Sequence, residues 1–92
     1  MNEAQKIADA LLDKKLIACA NFFPITSKYR WKGQIESAEE VVAVLKTRKE
    51  SWLKVKEYIE THHTYETPCI IKLAEVEANN SYASWIQDET SE

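Results

Sequence analysis

Residues 18–47 read ACANFFPITSKYRWKGQIESAEEVVAVLKT, two β-rich runs that meet at Lys32-Gly33. Gly33 is the only glycine in the chain. Glycine takes φ > 0 without steric cost, so its place at the centre of this stretch predicts a tight hairpin turn. A two-residue loop sets Trp31 opposite Gln34, Tyr29 opposite Glu36 and Lys28 opposite Ser37, unless a bulge shifts the pairing beyond the turn. Ile25, Ser27, Tyr29 and Trp31 then share one face, and Thr26, Lys28 and Arg30 the other, which is the alternation of a half-buried ribbon. The ribbon is longer than the usual strand of about five or six residues, so it projects from a small domain. Tyr29 and Trp31 near its tip are the side chains a neighbouring protomer would bury, because aromatic residues dominate interface cores. A twisted hairpin with two exposed aromatics fits the same pattern.

Working outward, residues 3–15 read as a helix with Ala4, Ile7, Ala8, Leu11 and Leu12 on one face. Asn2 and Gln5 are placed for a loose capping box, and Lys14 and Lys15 for the negative end of the helix dipole. Ile17–Trp31 and Gln34–Thr47 are the hairpin strands, with a bulge or bend expected at Pro24. Val41 to Leu45 form an unbroken apolar run, which places the second strand inside a sheet. Thr47 and Glu50 form a T-x-x-E capping box that opens a second helix through Trp52, Val55 and Ile59, ending near His62. A polar connector follows, and Pro68 leads into a strand over Cys69–Val76. Asn79 or Asn80 caps a last short helix with Tyr82, Trp85 and Ile86 on one side. The predicted order is α, β, β, α, β, α.

The 92 residues make one domain, 1–92, small enough for oligomerisation to supply burial that a single core lacks. A hydrophobic fraction of 45% with 29% charged residues is globular rather than disordered. No apolar run approaches the roughly 18 residues of a membrane span, and no signal segment stands at the front, so a cytoplasmic protein without a membrane partner is expected. A net charge of −3 without a basic stripe argues against nucleic acid. Cys19 and Cys69, far apart in apolar β-like surroundings, read as two buried free thiols.

The stretches KLIACANFFP, YRWKGQIE, VLKTRKE, HHTYETPCII and SYASWI, in this order over nearly the whole chain, resemble the CutA family of divalent-cation tolerance proteins. That resemblance implies an α+β, ferredoxin-like (βαββαβ-type) sandwich with a long hairpin and a short C-terminal helix, assembled as a homotrimer through its hairpins. It also implies that the family's first strand, an interior one, is missing ahead of Asn2-Glu3-Ala4, and that the chain is a shortened one. Loss of such a strand leaves two ladders unpaired, at about 1–3 kcal/mol for each buried unsatisfied group.

His62 and His63 are the only histidines and the candidate metal ligands, since neutral imidazole suits Cu, Zn and Ni. Adjacent residues at a helix end point about 100° apart, however, which suits two solvated histidines better than one chelate. The resemblance implies copper binding, because the family's copper is attributed partly to histidines at these positions. A further cysteine ligand of some members lies on the missing strand, and neither Cys19 nor Cys69 stands in its place, so the copper site is expected to be weak, incomplete or shared between protomers. Thr64 replaces the proline that usually follows the histidine. Lys46, Tyr65, Glu66 and Tyr82 match positions that an inter-protomer cleft can gather; alone, Tyr65 reads as a packed loop anchor, Lys46 as a partner of a carboxylate and Tyr82 with Trp85 as core.

No H-E-x-x-H, C-x-x-C, glycine-rich phosphate loop or G-x-S-x-G is present, so no enzyme is expected. The leading expectation is a cytoplasmic homotrimer in tolerance or response to divalent metal ions. A trimeric signalling module like the PII proteins, with a small effector in its clefts and a protein partner, is the alternative. A stable scaffold with incidental metal binding is a third.

Overall fold

The turn chemistry at the middle of the chain produces the hairpin it demands. In the computed structural model, which describes residues 2–65, 67–73 and 77–91, strand β1 (Cys19–Trp31) pairs antiparallel with β2 (Gln34–Lys46). Lys32 and Gly33 have φ of 51° and 82°. Two positive values in succession are what a type I′ turn needs, and its twist matches that of the strands. The register runs from Trp31↔Gln34 through Tyr29↔Glu36 and Lys28↔Ser37 to Cys19↔Lys46 without a bulge. The bend expected at Pro24 is therefore absent, and Pro24 lies opposite Val41 in an unbroken ladder. A proline is tolerated there because β1 is an outer strand, where the missing N–H can face away from the partner.

Each strand has 13 residues, which at about 3.3 Å per residue is roughly 43 Å. The longest extent of the molecule is 46 Å, so the arm sets it. The radius of gyration of 14.7 Å exceeds the roughly 12 Å of a compact chain of this length. Exposed at the far end of the arm are Tyr29, Trp31 and Ile35.

Helix α1 (Asn2–Asp13) ends two residues before the expected end at Lys15. Leu16 N–H donates to Leu11 O (2.9 Å) and Lys15 N–H to Leu12 O (3.0 Å), the paired bonds of a Schellman cap, with Lys15 at φ 58° in the position usually given to glycine. Lys14 and Lys15 thus lie beyond the helix, and Asn2 lies inside it rather than capping it. Thr47 does not form the expected capping box either: its hydroxyl donates to Leu16 O at 2.6 Å, tying the end of β2 to the turn after α1. A 3₁₀ turn (Lys49–Ser51) then leads into α2 (Trp52–His62), and neither element has a side-chain cap.

Ala8 and Leu11 of α1, Ile17 and Val55 are buried. Ile7, Leu16, Ala20, Phe22, Leu45, Tyr58 and Ile59 pack around them, so the helices cover one face of the hairpin's base. The strand expected over Cys69–Val76 is not formed at 69–73, and 74–76 lie outside the described residues. A strand needs a neighbour, and the sheet has two strands, β1 and β2, among the described residues. For the same reason β2, expected inside a sheet, has an open edge, with Ala43 and Val44 exposed. Cys69 is exposed and Cys19 half-buried; both are free thiols as expected, but neither is buried. Helix α3 (Asn80–Glu89) closes the described chain, with Tyr82 half-buried and Trp85 exposed rather than in the core. Asn79 precedes it, but its amide donates to Ser81 Oγ (2.9 Å) instead of capping the helix. The architecture is α+β, a two-stranded antiparallel hairpin with helices.

Candidate functional site

The last turn of α2 carries both histidines, and the bonds they make separate them. His62 Nδ1 lies 2.8 Å from the Tyr58 carbonyl oxygen. A carbonyl only accepts, so Nδ1 holds the proton and the Nε2 lone pair of the neutral ring is free. The ring is stacked on Tyr58, centroids 3.9 Å apart, which fixes its orientation. His63 is the C-cap, and its backbone has turned to the extended region. Its Nδ1 accepts the Tyr65 N–H at 3.1 Å, and its ring meets Tyr65 edge-on at 4.6 Å. Neutral His63 therefore carries its proton on Nε2. The two imidazoles are opposite tautomers, and only His62 presents an unengaged lone pair.

Beside His62 is an open recess of about 350 Å³, bordered by Lys14 and Leu16 of the turn after α1 and by Lys54, Glu57 and Thr61 of α2. Two ammonium groups against one carboxylate make it a poor seat for a bare dication. The described residues contain no group of three or more His, Cys, Asp or Glu placed to hold an ion.

Two carboxylates that local sequence does not single out anchor the loop after α2. Thr64 N–H donates to Glu3 Oε2 at 2.9 Å. Hydrogen bonds from the Thr64 side chain and then its amide hold Glu3 below the usual carboxylate value. Lost hydration and then the Glu40 carboxylate of β2 push the Tyr65 phenol above its ordinary value. Half of the Tyr65 surface stays exposed, so water screens much of this effect. The signal for both contacts is nonlocal: Glu3 and Thr64 are 61 positions apart.

The four cleft candidates divide in the same way. Lys46 Nζ lies 5.6 Å from the Tyr82 ring centroid, a cation–π pair between the base of the hairpin and α3. Tyr65 belongs to the Glu3–Glu40 loop contact. Glu66 lies outside the described residues. Tyr29 and Trp31 are exposed at the arm's tip, Lys32 Nζ being 5.8 Å from the Trp31 ring.

A long hairpin over two helices, an imidazole-bearing loop at its flank and a lysine–tyrosine pair at its base define the α+β frame of the site. The family model for the CutA1 divalent ion tolerance protein matches residues 1–89. The divalent-cation tolerance protein CutA of Archaeoglobus fulgidus is 42% identical over 92 residues, 100% of this chain and 89% of that one. The solved structure of the periplasmic divalent cation tolerance protein CutA from the same organism superposes with a TM-score of 0.96 at 38% identity, covering 99% of this chain and 89% of that one. The PII-like protein CutA from Nostoc sp. PCC 7120 follows the same path, with a TM-score of 0.85 at 28% identity over 98% of this chain and 88% of its own. This chain belongs to the CutA1 divalent ion tolerance family.

Proposed function

We propose that the protein is a non-catalytic, cytoplasmic homotrimer that takes part in tolerance of or response to divalent metal ions, with copper its ion and His62 the leading ligand. Family membership over residues 1–89 supports the role, and the observation that carries the site is the bond from His62 Nδ1–H to the Tyr58 carbonyl. That bond leaves Nε2 as the donor and holds the ring in place, as second-shell partners of metal-bound histidines do. With no third ligand gathered nearby among the described residues, the ion is completed by a neighbouring protomer, and His63 joins only when its bond to Tyr65 opens. Among the described residues no helix is long and apolar enough to cross a membrane; the periplasmic relative marks the compartment that competes with the cytoplasm in this reading.

Copper titration by calorimetry tests this reading. His62→Ala is expected to weaken binding at least about tenfold, the scale seen even for outer-shell partners, while His63→Ala leaves it nearly unchanged. Equal affinity in wild type and His62→Ala overturns it.

The Lys46–Tyr82 pair favours a second reading, a PII-like trimer that takes a small effector in clefts between protomers and reports its presence to a protein partner. A ligand-induced rise in melting temperature that Lys46→Met abolishes and His62→Ala leaves intact selects it over the first.

A further inference from the structure

His62 stands among charges that do not suit a bare cation. The recess it borders is lined by Lys14 and Lys54 against a single carboxylate, Glu57. Lys54, Tyr58 and His62 follow one another at four-residue intervals along α2, so they share one face of the helix. At about 1.5 Å of rise per residue, the Lys54 and His62 backbones are roughly 12 Å apart. The flexible four-carbon stem of lysine covers much of that gap. Lys14 approaches from the turn after α1, and its Nζ lies 5.9 Å from the centroid of the Tyr58 ring. His62 is stacked on that same ring, so one aromatic ring relates the second ammonium group to the imidazole.

The histidine itself brings one donor. Its Nδ1–H is engaged by the Tyr58 carbonyl at 2.8 Å, which leaves the Nε2 lone pair for a metal. Leu16 and the Tyr58 ring add an apolar wall, the usual lining of a small-molecule site. A ligand that matches this set joins an open metal position to negative charge on a small organic frame. A bare dication has the first property and the opposite of the second. A metal ion already wrapped by several carboxylates has both.

We propose that the recess beside His62 receives copper as an anionic chelate, a copper(II) ion carried by a small polycarboxylate. His62 Nε2 takes the open position of the ion, and Lys14 and Lys54 pair with carboxylates of the chelator. The proposal rests on the assignment of His62 as the copper ligand and deepens it: the chelator fills positions that His62 and a neighbouring protomer leave open. The imidazole displaces one metal-bound water, which leaves for solvent. No proton or electron moves, because Nε2 carries no proton in this tautomer and the ion keeps its oxidation state. The lysines serve selection in two ways. They make charge-assisted bonds to the carboxylates of the chelate, and they repel a bare or positively charged copper species, the repulsive element that specificity needs.

Calorimetry on the full chain tests the proposal with two copper(II) complexes that each keep a position open to imidazole. The nitrilotriacetate complex is a monoanion, and the diethylenetriamine complex is a dication. Each affinity is divided by that of free imidazole for the same complex, which cancels the intrinsic strength of the copper–nitrogen bond. On this scale wild type is expected to favour the monoanion roughly fivefold, the yield of two exposed ion pairs. Lys14→Met/Lys54→Met, a change at two exposed side chains, is expected to erase that preference while the dication binds as before or more tightly. No preference in wild type overturns the proposal, and so does a preference that survives the double substitution. Equal loss of both complexes in the double variant also overturns it, because the lysines then only support the His62 ring. His62→Ala separates the proposal from the reading beneath it. Undiminished binding of both complexes by His62→Ala removes the ligand assignment and the chelate with it, whereas a His62 effect without charge preference removes the chelate alone.

Discussion

Glu3 and Tyr65 secure the loop after α2 with groups whose titrations move in opposite directions. Thr64 bonds only the ionised form of Glu3, so the contribution is complete above the ordinary value of 4.5 and is lost as pH falls through the lowered native value. The Tyr65 phenol is held protonated beside Glu40, so its contribution is complete below 10.0 and is lost as pH rises through the raised native value. The loop is therefore best anchored between these limits. In an NMR titration the Thr64 amide resonance is expected to move with a midpoint below 4.5, and Glu3→Gln to flatten the curve; a midpoint at or above that value removes the contact. Tyr65 was legible in the sequence as a loop anchor, but its neighbour Glu40 and the bond from Thr64 to Glu3 were not. Residue type and resemblance named His62 and His63 as candidates, and their spacing argued against one chelate, but their tautomers depend on whether each ring meets a carbonyl or an N–H, here Tyr58 O and Tyr65 N. Those partners are fixed by where α2 stops: His62 is its last helical residue, and His63 is the extended C-cap.

At the scale of elements, what could be read was what is locally determined. Lys32-Gly33 fixed the hairpin register because both turn residues take positive φ, and a two-residue loop leaves the strands no alternative pairing. The third strand was not readable in the same way: Cys69–Leu73 has strand composition, but pairing depends on a neighbour that sequence at 69–73 does not specify. The end of α1 was missed for a different reason. Lys15 occupies a left-handed position usually held by glycine, so the sequence shows no stop signal there. These two left-handed sites make opposite predictions. Lys15→Gly relieves the Cβ penalty while the Schellman bonds stay, and is expected to stabilise by about 0.5–1 kcal/mol. Gly33→Ala adds a methyl that meets nothing within 4 Å, yet is expected to destabilise by about 1 kcal/mol because φ is 82° there. Thermal denaturation should separate the variants from wild type in opposite directions, each by about 4–8 °C per kcal/mol for a domain of this length. Shifts of the same sign would break the argument, since crowding is excluded at Gly33 and only backbone conformation is left to act.

For the whole molecule the deciding comparison is between what is buried and what is presented. The described apolar residues that are fully buried are Ala8, Leu11, Ile17 and Val55, a small core for an arm 13 residues long in each strand. Tyr29 exposes 43% of its surface, Trp31 37% and Ile35 65%, all at the end of the molecule furthest from that core. In the proposed trimer, burial of this tip in other copies would cover apolar surface that the protomer leaves exposed, and would do so with tryptophan and tyrosine, the residues that most often concentrate binding energy. If assembly runs through the arm, removing its largest side chain must weaken assembly while leaving the fold alone, because Trp31 lies outside the core packing. Trp31→Ala is expected to cost about 2 kcal/mol or more at each interface, roughly a thirtyfold loss of affinity. Sedimentation velocity over a dilution series should then show smaller species at concentrations where wild type remains assembled. Trp85→Ala serves as the control: its ring is comparably exposed, 42%, but belongs to α3 rather than the arm. Dissociation in Trp85→Ala and not in Trp31→Ala would move the interface to α3 and detach the hairpin from assembly. Dissociation confined to Trp31→Ala ties the reach of a turn set by one glycine to the number of copies in the working protein.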